Sequence, residues 1–223
     1  MTISTDDLLN SILTSFDRIG HIQSEDIPNI DLYMDQVTTF MEQHMRATTR
    51  NPEEDKILTK TMINNYAKND LLPPPVKKKY SKEHVLVLIF IYYFKGILSI
   101  GDIQELLNPL TEKFFHAGSG LKMEDIYDEV FSLEKDKVEA LKEDVKKMYA
   151  ASVDTFQDAA KEDREFLQRF SFICMLSYDV YVKKLLIEKL IDSMKEEKGR
   201  ENSQQAKKPV PKKAEAKKAE EKD

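Results

Sequence analysis

Residues 60–80 read KTMINNYAKNDLLPPPVKKKY, a helical pattern that runs into three prolines set directly against three lysines. Thr59 stands in front of this stretch as a helix N-cap, and Asn69 and Asp70 close it. Pro73 to Pro75 forbid helix and favour a short stiff segment, because proline fixes φ and restricts the residue before it. Lys77 to Tyr80 are read as extended, and Ser81 with His84 three residues on as a new helix start. That helix carries VLVLIFIYYF, residues 85–94, closed by Lys95 and Gly96. It falls far short of the roughly 20 residues that span a bilayer, so it is expected to be a buried core helix.

Outward from this stretch the pattern stays helical. Leu8, Leu9, Ile12, Leu13, Phe16 and Ile19 recur at three- and four-residue steps, as do Met34, Val37, Phe40, Met41, His44 and Met45. A short helix is expected from Ser99. Val138, Leu141, Val145, Met148, Ser152 and Phe156 have coiled-coil-like spacing. From Asp163 to Met194 a last helix is so apolar that most of its circumference needs covering, with Cys174 as a small buried hydrophobe. Six glycines leave few turns for strands, and the fold class expected is all-α. The expected divisions are an N-terminal amphipathic helix (1–29), a central domain (30–108), a second helical region (109–194) and a disordered tail (195–223). The tail holds ten basic and seven acidic residues and almost no apolar side chains to offset ordering entropy.

The charge is segregated. Between Lys56 and Lys82 seven lysines face a single acid, Asp70, for a local charge of +6 in a chain that carries −6 overall. A protein that as a whole repels polyanions thus holds one patch that attracts them. Beside the lysines, Thr59, Lys60, Thr61, Asn64, Asn65 and Tyr66 place hydrogen-bonding side chains on a short helix. Asparagine can read adenine in a bidentate way, and Thr and Tyr commonly bond phosphate.

Other classes find less support. One cysteine excludes an intramolecular disulfide framework and a cysteine-ligated cluster, and suits a reducing cytoplasm. Four scattered histidines lack metal-pair spacing, so no metal or other cofactor is expected. Asp6 and Asp7 stand where a secretory signal carries cations. With no Gly-rich phosphate loop and no Cys/His or Ser/His pairing at recognisable spacing, no enzyme is expected.

The string LTKTMINNYAKNDLLPPPVKKKYSKEHVLVLIFIYYFKGILSIGDIQELL, residues 58–107, resembles the N-terminal DNA-binding domain of the MerR family of bacterial transcription regulators. Leu58 and Thr59 stand at that family's valine and serine, Met62 and Ile63 at its threonine and leucine, and Asn64, Asn65 and Tyr66 at its arginine and two tyrosines. Leu71, Leu72 and Pro73 match its turn, Lys78 to Tyr80 its wing, and Gly96, Ser99 and Ile103 its two-helix signature. Asn64 departs from a phosphate-binding arginine, the wing has lysine where arginine is usual, and residues 46–56 are extra. The string is also identified as that of an uncharacterised bacterial domain family of unknown function.

The resemblance implies a winged helix-turn-helix. The Thr59 to Lys68 helix would enter the major groove of double-stranded DNA, and the segment through Lys77, Lys78, Lys79 and Tyr80, with Lys82, would lie along the phosphates. It also implies a homodimer, with Val138, Leu141, Val145, Met148 and Phe156 as a candidate seam; packing of that stripe within the chain is the alternative. The functional expectation is a DNA-binding transcription regulator with an unspecified effector. A non-enzymatic protein-interaction adaptor built on the same fold is the other reading.

Overall fold

A computed structural model describes residues 5–16, 21–135 and 137–206. Helix α1 spans Thr5–Phe16, and a 3-10 turn over Ser24–Asp26 leads to strand β1 (Leu32–Tyr33). Then follow α2 (Met34–Met45), α3 (Lys60–Lys68), β2 (Lys79–Tyr80), α4 (Lys82–Phe94), α5 (Ile100–Phe114), α6 (Met123–Lys135), α7 (Lys137–Val153) and α8 (Lys161–Ala206). The chain is mostly helical, as composition and spacing predict. Among the described residues the sheet is one antiparallel pair, with Leu32 opposite Tyr80 and Tyr33 opposite Lys79.

Helix α4 is the axle. Every residue from His84 to Ile91 is buried, which is the only stable arrangement for a helix that is apolar all round. The elements around it each bring one apolar stripe: Val37, Phe40, Met41 and Met45 from α2, Ile63 and Tyr66 from α3, Ile103 and Leu107 from α5, and Met123, Tyr127 and Phe131 from α6. Lys95, at the end of α4, donates to the Ile57 carbonyl at 2.8 Å and lies 4.6 Å over the Tyr92 ring. Burial pushes its ammonium pKa down. Residues 46–57 are thereby folded back on the axle, and Ile57 is fully buried.

The core does not end at residue 108. The Tyr127 hydroxyl donates to the Ile22 carbonyl at 2.6 Å, Ser24 donates to the Asp128 carboxylate at 2.8 Å, and His21 stacks on Phe131 at 5.1 Å. One core therefore runs from Ile22 to Phe131, and Ile191 of α8 closes it. The division at 108 falls inside that core, because α5 and α6 supply two walls of the α4 cage.

A second, smaller core joins Leu9 and Leu13 of α1 to Val145 and Tyr149 of α7 and to Phe172 and Leu176 of α8. The α7–α8 turn is held by Gln168, which donates to the carbonyls of Val153 and Thr155. Helix α8 continues to Ala206, well past Met194, so residues 195–206 are helical and not the start of a tail. Lys195 there pairs with Asp102 of α5 at 2.9 Å. Ile19 and residues 207–223, on which further expectations rest, lie outside the described residues. Among the described residues no helix is long and apolar enough to cross a membrane.

Candidate nucleic-acid interface

Thr59 caps α3 as expected: its backbone is extended and its hydroxyl accepts the Met62 N–H at 3.1 Å. Ile63 and Tyr66, three apart, turn inward, and Lys60, Thr61, Asn64, Asn65 and Lys68 turn outward as one exposed face. No acid lies on that face. Asp70, with φ of 54°, reverses the chain so that the N–H groups of Leu71 and Leu72 both donate to the Tyr66 carbonyl. The Gln104 side chain of α5 donates to the Asn69 carbonyl. The end of α3 is thus fixed from two sides.

Leu71 and Leu72 are buried, and the prolines carry the chain out to a tight hairpin. Val76 and Lys79 exchange both backbone hydrogen bonds, at 3.1 and 3.0 Å, around Lys77 and Lys78. These two lysines have φ of 50° and 64°. They are the centre of a type I′ turn and not extended, contrary to the reading from sequence. Such turns favour Asn-Gly; a side chain at positive φ costs on the order of 1 kcal/mol. Both lysines are exposed at the tip.

The candidate residues divide by burial. Tyr66 and Tyr80 are 9% and 2% exposed, and burial raises the pKa of both phenols. They build the core under the surface and are not part of it. Lys79 is drawn back, its ammonium 5.3 Å over the Tyr33 ring, and Lys82 pairs with Glu124 at 2.6 Å. Lys60, Lys68, Lys77 and Lys78 remain exposed and pair with no acid among the described residues. The I′ tip and the Gln104 brace escaped the sequence reading. The first shows only as a two-residue gap between Val76 and Lys79, and the second joins residues 35 apart.

The candidate seam on α7 is not one open face. Val145 is buried against Leu9 and Leu13, Val138 and Met148 are half-buried, and Leu141 is exposed. Phe156 lies past the end of the helix with φ of 54°. Cys174 is exposed, not buried. His44 likewise leaves the buried face of α2, its Nδ1 meeting the Phe40 carbonyl.

Beneath the hairpin, His84 at the start of α4 is 1% exposed. The Ser81 N–H donates to its Nδ1 at 3.0 Å, so that nitrogen is an acceptor and the ring is neutral, with the proton on Nε2. Nε2 is buried without a well-formed hydrogen bond. Burial holds the pKa of His84 down; His116 adds to this, while the Pro74 carbonyl, Glu83 and Asp31 oppose it. A cavity of about 310 Å³ opens nearby, lined by Ser81, Lys82, Glu83, His116, Lys122 and Glu124. Lys82 pairs with Glu124 there, and the His116 Nδ1 meets the Glu83 carboxylate. No group of three or more His, Cys, Asp or Glu is placed to hold a metal among the described residues.

Comparison with curated proteins and with solved structures returns no match. The segment held together by the α4 core, residues 22–131, matches the family model described as Domain of unknown function (DUF1836).

Proposed function

We propose that the outward face of α3 and the hairpin tip bind duplex DNA, α3 in the major groove and the tip on phosphate, in a winged helix-turn-helix manner, and that the chain is a transcription regulator. The observation that carries this is the set Lys60, Lys68, Lys77 and Lys78: four exposed lysines without acid partners among the described residues, displayed by one core in a chain of charge −6. Thr61, Asn64 and Asn65 share the α3 face with two of them. Phosphates gripped by lysine as point charges give affinity, and asparagines give base discrimination.

The test is binding to random duplex DNA across a salt series. Four phosphate contacts per protomer give a slope of log K against log salt of about −3.6. Lys77→Ala with Lys78→Ala is expected to reduce the slope by about 1.8 and to weaken all sequences alike. Asn65→Ala is expected to change the motif recovered in a recognition-site selection more than the affinity for random DNA. A chain that fails to bind duplex DNA at low salt overturns this reading and favours an adaptor for another protein.

A further inference from the structure

The cavity near His84 lies where segments far apart in sequence meet. Asp31 precedes Leu32 of β1 and Ser81 follows Tyr80 of β2; Leu32 and Tyr80 are paired, so the cavity closes the end of the small sheet that points away from the hairpin tip. The start of α6 and His116 complete its wall. Leu86 of α4, fully buried, gives it an apolar floor, and Ile30, 67% exposed, an apolar lip. Its volume of about 310 Å³ is at the small end of ligand cavities.

The charges that line it have both signs, and most are engaged. Lys82 pairs with Glu124 at 2.6 Å. Glu83 accepts the His116 backbone N–H at 2.9 Å and meets the Nδ1 of the same residue. Two charged groups are left over. The Asp31 carboxylate and the Lys122 ammonium are exposed, and neither has a hydrogen-bonded or ion-pair partner among the described residues. The root of the lysine is fixed, because its backbone N–H donates to the Asp125 carboxylate at 2.8 Å.

We propose that this cavity binds a small zwitterion, an α-amino acid with an aliphatic side chain, whose ammonium meets Asp31, whose carboxylate meets Lys122 and whose side chain lies against Leu86 and Ile30. The charge balance selects this class. Three carboxylates, of Asp31, Glu83 and Glu124, stand against two lysines, which leaves no positive excess for a phosphate or other polyanion. Among the described residues no group of three or more His, Cys, Asp or Glu is placed to hold a metal. A purely apolar ligand would strip water from both free charges and pair neither. A ligand with one charge of each sign satisfies both, and the flexible four-carbon stem of lysine lets its ammonium follow the carboxylate. Because Asp31 and Ser81 flank the β1–β2 pair, the occupant ties together the two segments from which the hairpin projects.

Binding at this cavity is read without DNA and stands apart from the proposed DNA contact. Calorimetry of the full chain with L-leucine as the probe is expected to give a dissociation constant on the order of 0.1 mM. Isocaproate, which lacks the amino group of leucine, and isoamylamine, which lacks its carboxylate, are each expected to bind about tenfold more weakly. Asp31→Asn and Lys122→Gln change exposed side chains; each is expected to weaken leucine binding about tenfold while helicity and thermal midpoint are retained. The amide resonances of residues 29–31, 81–83 and 122–124 are expected to shift as leucine is added. No binding of leucine, binding that survives both substitutions, isocaproate or isoamylamine binding as tightly as leucine, or shifts confined to other parts of the chain overturns the proposal.

Discussion

Helices α4 and α8 are both apolar around most of their circumference, yet one is sealed and the other is half bare. From Val85 to Ile91 almost nothing of α4 reaches solvent, while Phe166, Tyr178, Val180, Tyr181 and Leu186 of α8 are each more than half exposed. Apolar content says that a helix needs cover, and the length of neighbouring chain decides whether it gets it. Helix α4 has 13 residues and is ringed by α2, α3, α5, α6 and the small sheet. Helix α8 has 46, and its contacts gather at two places, against α7 and α1 and against α5. The part between stays exposed among the described residues.

The sharpest way to break the comparison is to remove the same side chain from each helix. Leu88→Ala on α4 leaves a cavity with no room to relax and is expected to cost about 2–5 kcal/mol in urea unfolding. Leu186→Ala on α8, 58% exposed, is expected to cost about 0.5 kcal/mol or less. Equal losses would mean that the two helices are equally covered.

A smaller effect belongs to the hairpin attached to α4. Lys77→Asn with Lys78→Gly places the residues that a type I′ turn favours where both lysines now have positive φ. It is expected to raise stability by about 1 kcal/mol while weakening DNA binding as the double alanine variant does. Stability and binding moving in the same direction would separate the tip from the proposed phosphate contact.

The smallest expected effect is a pH dependence seated in α4, where the buried His84 lies. The fold selects the neutral imidazole, so the unfolded chain binds this proton more readily. Stability is complete above the ordinary histidine pKa of 6.5 and is lost as pH falls through that value towards the lowered native one. His84→Gln keeps an acceptor for the Ser81 N–H without titrating. Its thermal midpoint is expected to fall less than that of the wild type between pH 7.5 and 5.5; an unchanged slope would take the dependence away from His84.

Much of the candidate site was legible locally. Thr59 as a cap, Asn69 as a stop, the prolines as a break and Ser81 as a restart all depend on neighbours within four residues, and all stand in the structure. Burial was less legible. Tyr66 and Tyr80 have the same polar tip as a surface tyrosine, and it is the cage around α4 that takes them inside. Lys79 and Lys82 look like Lys77 and Lys78 in sequence, and are set apart by Tyr33 and Glu124, which lie 46 and 42 positions away.

The sequence by itself determined the mostly helical class, the starts of α3 and α4 at Thr59 and Ser81, the stiff proline turn and the concentration of lysine within residues 56–82, because propensity, φ restriction and charge are properties of short stretches; it did not show α6 or the reach of α8 past Met194. Only the tertiary structure decided which lysines stay free, that Lys77 and Lys78 form a strained tip, that one core runs from Ile22 to Phe131, and that α8 keeps an uncovered face. Those outcomes depend on which distant residues share a core, and burial is a property of the whole packing and not of any one segment.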